Sequence, residues 1–291
     1  MVEVTMLNVM AGGDFIQSLD TQRSWGVKVL DLKNGIYGKN LIDLSIAEAE
    51  QAANEIAARG LSVYCFSSEL FHDMVEKGEA YFREQYLNRL DHLLKLAAIM
   101  KPKVIRLLSA KIEGRSEVAD SISYLRAQHP WLIPMYGEAI DRIHAAGFEA
   151  TVENEAADNM FSTPSEVTAF FEALARKDRV YFTYDVQNLW QMGTFPTIHV
   201  YEQLAPYIGF YHVKGGQSEG DDLALVWKSS LEESSWPVAA MTTRVVKEGR
   251  SPAICINPSH GKAKPDYDFL SVTKQDYTYV RSLIAQVEVT K

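Results

Sequence analysis

Two cysteines in 291 residues, Cys65 and Cys255, leave no material for a disulfide framework. Each lies in an apolar run, where a reduced thiol behaves as a small buried hydrophobe. Cationic residues are also in short supply: 29 Lys and Arg stand against 38 Asp and Glu, for a formal net charge of −9. A chain of that charge gains nothing from counterion release on DNA or RNA, so no nucleic acid partner is expected. An anionic membrane surface would repel it. No apolar run approaches the roughly 18 to 20 residues that cross a bilayer, so no membrane partner is expected either. The opening residues, MVEVTMLNVMAGG, carry no basic segment and read as a first strand rather than a secretory signal, which makes the cytoplasm the expected compartment. Low-complexity segments and interdomain linkers are missing too.

What is present is an ordinary globular composition, 47% hydrophobic and 23% charged, with a regular alternation of strand and helix signals. Strands are expected at 4–10, 28–33, 61–68, 104–110, 149–154, 180–186, 209–214 and 253–257. Helices are expected between them. Ser45 followed by Glu48 is a capping box, with Ile46, Ala49, Ala53 and Ile56 on one face and Gly60 past the end. A long helical pattern runs from 77 to 100 and stops before Pro102. Pro134 to Ala146 reads as a helix closed by Gly147. Thr163, Pro164 and Glu166 open another, with Val167, Phe170, Phe171 and Leu174 as its buried stripe. Residues 12–25 carry a weak helix signal, 113–133 are ambiguous, and 215–235 read as a polar loop.

Strands separated by helices pair in parallel through right-handed crossovers. Eight such units at this length predict an α/β fold of the (β/α)8 barrel type, a single domain over residues 1–291. The rival is a doubly wound open sheet, which calls for G-x-G-x-x-G after the first strand. The Ala11-Gly12-Gly13-Asp14 segment does not supply it.

A barrel keeps its chemistry at the C-terminal ends of its strands. Those ends carry Lys33, Glu69, Arg106, Lys111, Glu153, Glu155, Asp185, Asn188, His212, Lys214, Asn257 and His260. Ionisable groups on so many inward rim positions are costly unless they pair or bind something. Glu153, Asp185 and His212 end three successive strands, and together they are a donor set for a divalent cation. Singly, each has a structural reading: a helix cap, a surface ion pair, a core histidine. Lys33, Glu69, Arg106 and Asn188 are candidates for substrate binding. Trp25, Tyr37, Phe66, Phe71, Trp190 and Trp227 are candidates for packing on a sugar face.

The segments VENE (152–155), YDVQN (184–188) and YHVKGG (211–216) resemble the xylose-isomerase-like TIM barrels, with likeness in strand order over nearly the whole chain. That superfamily includes sugar isomerases, ketose 3-epimerases, inosose and dehydroshikimate dehydratases and, more distantly, endonuclease IV. The resemblance implies a divalent metal, manganese or magnesium first and zinc third, held by Glu153, Asp185 and His212. The fourth position, a glutamate in the family's sugar enzymes, falls on Asn257 here. Where many members have a histidine after the strand-six aspartate, this chain has Asn188. An asparagine amide oxygen still ligates but cannot act as a base, so a two-base epimerase is disfavoured.

The function expected is a metal-dependent sugar or keto-polyol isomerase or epimerase acting through an enediolate. Glu153 is the expected base, with Lys214, His260 or Arg106 donating to oxygen. The alternatives are a metal-dependent dehydratase of an inosose- or dehydroshikimate-like substrate, and a non-catalytic carbohydrate-binding barrel with a degenerate metal site. A nuclease of the endonuclease IV kind needs a histidine-rich zinc cluster and a basic surface, and neither is present. The loop at 216–235 is a candidate contact for a homo-oligomer.

Overall fold

The strand and helix signals resolve, in a computed structural model that describes residues 2–221 and 223–289, into one barrel. Its strands are β1 (Glu3–Met6), β2 (Val29–Leu32), β3 (Ser62–Ser67), β4 (Val104–Leu108), β5 (Glu149–Glu153), β6 (Val180–Asp185) and β7 (Ile208–Val213). A small antiparallel hairpin, β8 (Gln217–Ser218) and β9 (Leu225–Trp227), precedes the last barrel strand, β10 (Ala253–Ile256). The barrel strands are parallel, in the order β1-β10-β7-β6-β5-β4-β3-β2. A parallel bridge between Leu7 and Asp31 joins the two ends of that order and closes the cylinder.

The helices between strands are α1 (Phe15–Trp25), α2 (Ile46–Ala58), α3 (Glu79–Phe82), α4 (Leu90–Met100), α5 (Ser121–Gln128) and α6 (Leu132–Ala145). They continue with α7 (Pro164–Leu174), α8 (Val186–Gln191), α9 (Ile198–Leu204), α10 (Val238–Glu248) and α11 (Phe269–Val289). The expected capping boxes form: Ser45 with Glu48 opens α2, and Thr163 with Glu166 opens α7. On α7 the stripe of Val167, Phe170, Phe171 and Leu174 is buried as its spacing requires.

The differences from the sequence reading are local. Strand β1 ends at Met6, because Asn8–Ala11 turns into a 3-10 helix whose Asn8 side chain reaches the chain after β2. The long helical pattern over 77–100 is interrupted by a π turn at Arg83–Leu87. There the rings of Tyr81, Phe82 and Tyr86 crowd edge to face. Ile46, placed on the inner face of α2, is 40% exposed, and Ala52 occupies that face instead. Phe66, Phe71 and Trp190, candidates for a sugar platform, are buried in the layer between sheet and helices.

The large apolar core fills that layer, and a second, small one fills the bottom of the cylinder. The latter is made by Tyr64, Cys65, Val104, Phe210, Ala253 and Cys255. Above it the interior turns polar, with Asp31, Arg106, Thr151, Glu153, Thr183, Asp185 and His212 all buried. Parallel strands deliver these side chains to one end, which is what places the site.

Candidate metal centre

Three strand ends meet as the residue types require. Glu153, Asp185 and His212 each offer an atom, and the three atoms lie within 4.8 Å of one another. The register explains the convergence: Asp185 on β6 pairs directly with His212 on β7, and Glu153 on β5 is level with Thr183, two residues earlier on β6. All three residues are at most 1% exposed.

Each is held from behind. Asp185 caps α8, its Oδ1 accepting from the backbone amides of Gln187 and Asn188 at 3.0 Å each. The cap reading is therefore right for one oxygen, while Oδ2 remains turned to the centre. The Asn154 side chain fixes the Asp185 backbone reciprocally, accepting from its N–H at 2.9 Å and donating to its carbonyl at 2.8 Å. Glu153 Oε2 receives Arg106 at 2.5 Å, and Oε1 lies 2.9 Å from His212 Nδ1. Against the cost of burial, Arg106 and then His212 hold the Glu153 carboxyl well below the usual carboxylate range.

Lys214 forms a second cluster beside these residues. Its Nζ lies 2.9 Å from Asp185 Oδ2, 2.7 Å from Asn188 Oδ1 and 2.9 Å from His260 Nε2. All three ammonium donors thus have partners. The ammonium, followed by partial burial, pulls the His260 imidazole down to about 4, so it is neutral near pH 7. His260 is anchored by its own N–H on Gln187 Oε1 at 2.7 Å.

The remaining rim candidates fall in different places. Lys33 pairs with the half-exposed Glu69 at 3.4 Å, out at the mouth. Arg106 is 2% exposed, with its guanidinium on Glu153 and on the Ser68 carbonyl at 3.0 Å, so it lies beneath the mouth. Asn188 is fully buried and spends its amide on Lys214 and the Asn154 carbonyl. Asn257 turns its amide nitrogen to His212 Nδ1 at 2.7 Å and its oxygen to the Cys255 thiol at 3.4 Å. In that orientation it is no fourth oxygen donor.

Two residues at the site went unassigned in the sequence. Asp31 sits fully buried inside the barrel on β2, its Oδ2 3.9 Å from His212 Nε2. The signal was one carboxylate within the apolar run VLDL. Glu155, after β5, has its carboxyl pushed up by burial and then by Glu153.

The donor set fits a divalent cation. Glu153 Oε1 and His212 Nδ1 face each other at 2.9 Å, a distance at which a ring N–H donates to the carboxylate or both atoms ligate one cation. Asp185 Oδ2 faces the same centre and has the Lys214 ammonium 2.9 Å away as its partner. The carboxyls of Asp31, Glu153 and Asp185 are buried beside the cations of Arg106 and Lys214, and burial pushes the Asp31 carboxyl up, toward its neutral form. Two carboxylate oxygens and one imidazole nitrogen within 4.8 Å of one another are a donor set suited to a divalent cation.

The hairpin segment packs against α8 and the stretch that follows β7. Trp190 Nε1 donates to the Leu223 carbonyl at 2.6 Å, and Trp236 Nε1 to the Lys214 carbonyl at 3.1 Å. Gly215 lets the two chains meet: a Cβ there would lie 2.0 Å from the Ser229 carbonyl oxygen.

The sequence matches the family described as xylose isomerase-like TIM barrel over residues 19–233, and the chain belongs to that family. Solved structures share its fold over nearly full length. One is a xylose isomerase-like TIM barrel protein of Mycobacterium smegmatis in complex with magnesium: TM-score 0.76, 16% identity, covering 99% of this chain and 98% of that one. Another is a probable 3-DHS dehydratase of Bacillus anthracis: TM-score 0.70, 13% identity, 96% and 98% covered. A third is an L-ribulose 3-epimerase: TM-score 0.70, 12% identity, 100% and 97% covered. At these identities the likeness is one of fold. No curated protein matches the sequence. Among the described residues no helix is long and apolar enough to cross a membrane.

Proposed function

We propose that the chain is a divalent-cation-dependent enzyme that moves a proton on a small polyhydroxy carbonyl compound, as a sugar or keto-polyol isomerase or epimerase. The observation that carries this reading is the convergence of Glu153, Asp185 and His212 within 4.8 Å at the catalytic end of the barrel. Glu153, Asp185 and His212 would hold the cation, manganese or magnesium by the hardness of two carboxylates and one imidazole. Bound there, it supplies polarisation of a carbonyl and stabilises the charge of an enediolate.

The chain's own residues do the rest. Glu153 Oε1 faces the centre and is the carboxylate placed to take a carbon-bound proton. Because Arg106 keeps that carboxyl acidic, it is a weak base, and the step depends on how far the carbon acid is activated. Lys214, aimed by Asp185, Asn188 and neutral His260, donates a proton to the carbonyl oxygen as the enediol forms and is reprotonated from an enediol hydroxyl as Glu153 returns its proton to carbon. Lys33 and Glu69 at the mouth meet the outer hydroxyls.

A dehydration is the second reading. Asn257 stands where a second base would be, and the adjoining pair of Lys214 and His260 suits protonation of a leaving hydroxyl. One screen tests both: ketoses, aldoses, inososes and a dehydroshikimate, each with Mn²⁺ in D₂O, followed by NMR. Isomerisation or epimerisation puts deuterium at the carbon beside the carbonyl, and dehydration gives a conjugated product with ultraviolet absorbance. Absence of exchange and of product in every class, with no Mn²⁺ bound, would sink the enzymatic reading and favour a carbohydrate-binding barrel.

A further inference from the structure

One buried side chain joins the chain ends that leave β6, β7 and β10. Gln187, in the first turn of α8, is fully buried. Its Nε2 donates to the Gly215 carbonyl at 2.9 Å, in the chain after β7, and to Ser259 Oγ at 3.1 Å, in the chain after β10. Its Oε1 accepts the His260 N–H at 2.7 Å. These partners lie 28, 72 and 73 residues away in sequence.

Both amide protons are thus spent, and the orientation is forced. Turned over, the amide would set its NH₂ against the His260 N–H and its oxygen against the Gly215 carbonyl, donor on donor and acceptor on acceptor. The slot is fitted to it as well: a Cβ at Gly216 would lie 2.7 Å from Gln187 Nε2. Burying a primary amide is costly, and an apolar side chain of the same length would fill the slot without that cost. The hydrogen bonds are what a glutamine adds there.

What they hold is the loop that carries His260. The Asn257 N–H still bonds the Val213 carbonyl as β10 ends, and the Lys262 N–H bonds the Val226 carbonyl in the hairpin. Between these two points, among the described residues, the backbone is tied to the barrel through Gln187. His260 lies in that span, with Nε2 2.9 Å from Lys214 Nζ.

We propose that Gln187 is a positioning residue: its amide locks the chain after β10 to the chain after β7, and so keeps the His260 ring on Lys214. The inference rests on the reading of Lys214 as the proton donor, which needs the ammonium aimed. With the lock, the third ammonium proton has an imidazole acceptor. Without it, that proton turns to water, and the ammonium is held by Asp185 and Asn188 only.

The test reads the His260 ring by NMR in histidine-labelled protein without added metal, from about pH 7 to about pH 5. His260→Gln identifies the signal. In wild type the neighbouring ammonium keeps the ring neutral across that window, since it titrates at about 4. Gln187→Met keeps the volume and removes the hydrogen bonds. Its His260 ring is expected to leave Lys214 and to take up its proton within the window, closer to the ordinary value of about 6.5. Lys214→Met, which removes the ammonium directly, is expected to shift the ring in the same direction. A ring that stays neutral throughout in folded Gln187→Met protein refutes the role, because packing alone then places the loop. Should that variant not fold, hydrogen exchange in wild type decides. The His260 amide is expected to be protected, and exchange at the rate of an unstructured peptide overturns the proposal. Neither readout uses turnover, so a failure of the functional reading shows itself separately, in the substrate screen.

Discussion

Replacing Glu153 with Gln keeps its shape and removes its charge. Glu153 is 1% exposed and Arg106 is 2% exposed, with 2.5 Å between guanidinium and carboxylate. The Gln variant therefore strands a buried guanidinium. Removing one partner of a buried ion pair costs about 3–5 kcal/mol, because the other is left uncompensated. For a chain of this size that is a loss on the order of 10 °C in Tm. Arg106→Met alone strands the carboxylate and costs a similar amount. Combining Glu153→Gln with Arg106→Met removes both charges and fills the space, a change that is often near neutral. The double variant is thus expected to recover most of the lost stability while still failing to bind Mn²⁺ or turn over substrate. Urea unfolding of the four proteins gives the coupling energy, and Mn²⁺ titration separates ligand loss from misfolding. Single-variant costs that add to within about 0.5 kcal/mol would show the pair to be uncoupled and would refute the reasoning.

Further expectations follow from the same structure. Asn257→Glu adds a carboxylate next to His212, so it should lower stability without metal, and added Mn²⁺ should raise its Tm by more than it raises that of wild type. The Asp276 carboxyl is pushed up to about 7 by burial, and its Oδ1 accepts the Leu231 N–H at 2.7 Å. Since its folded pKa lies above the unfolded value, the native state holds the proton more tightly, and stability should fall as pH rises from about 4 to 7. Asp276→Asn should flatten that slope in urea titrations, whereas an unchanged slope would remove Asp276 as its cause. Gly215→Ala would force its Cβ against the Ser229 carbonyl, so protease sensitivity within 216–235 should rise and activity fall.

The barrel was legible because its signals are local. Ser45 with Glu48 and Thr163 with Glu166 start helices wherever they occur, and apolar strand runs between them imply parallel pairing. The order of Glu153, Asp185 and His212 was legible too, since each ends a strand and parallel strands end together. The π turn at Arg83–Leu87 was not, because the sequence keeps its helical spacing through it. Nor was the fate of Arg106 or Asn188, whose partners lie 47 and 34 residues away.

By itself, then, the amino-acid order determined the cylinder and the three side chains at its mouth, since strand length, helix caps and side-chain alternation act over a few residues. Only the closed barrel decided that Arg106 anchors Glu153, that Lys214 gathers Asp185, Asn188 and His260, and that Asp31 lies behind His212. Those pairings depend on register and on the curvature that carries β2 across from β7, and neither is encoded within any one segment of the chain.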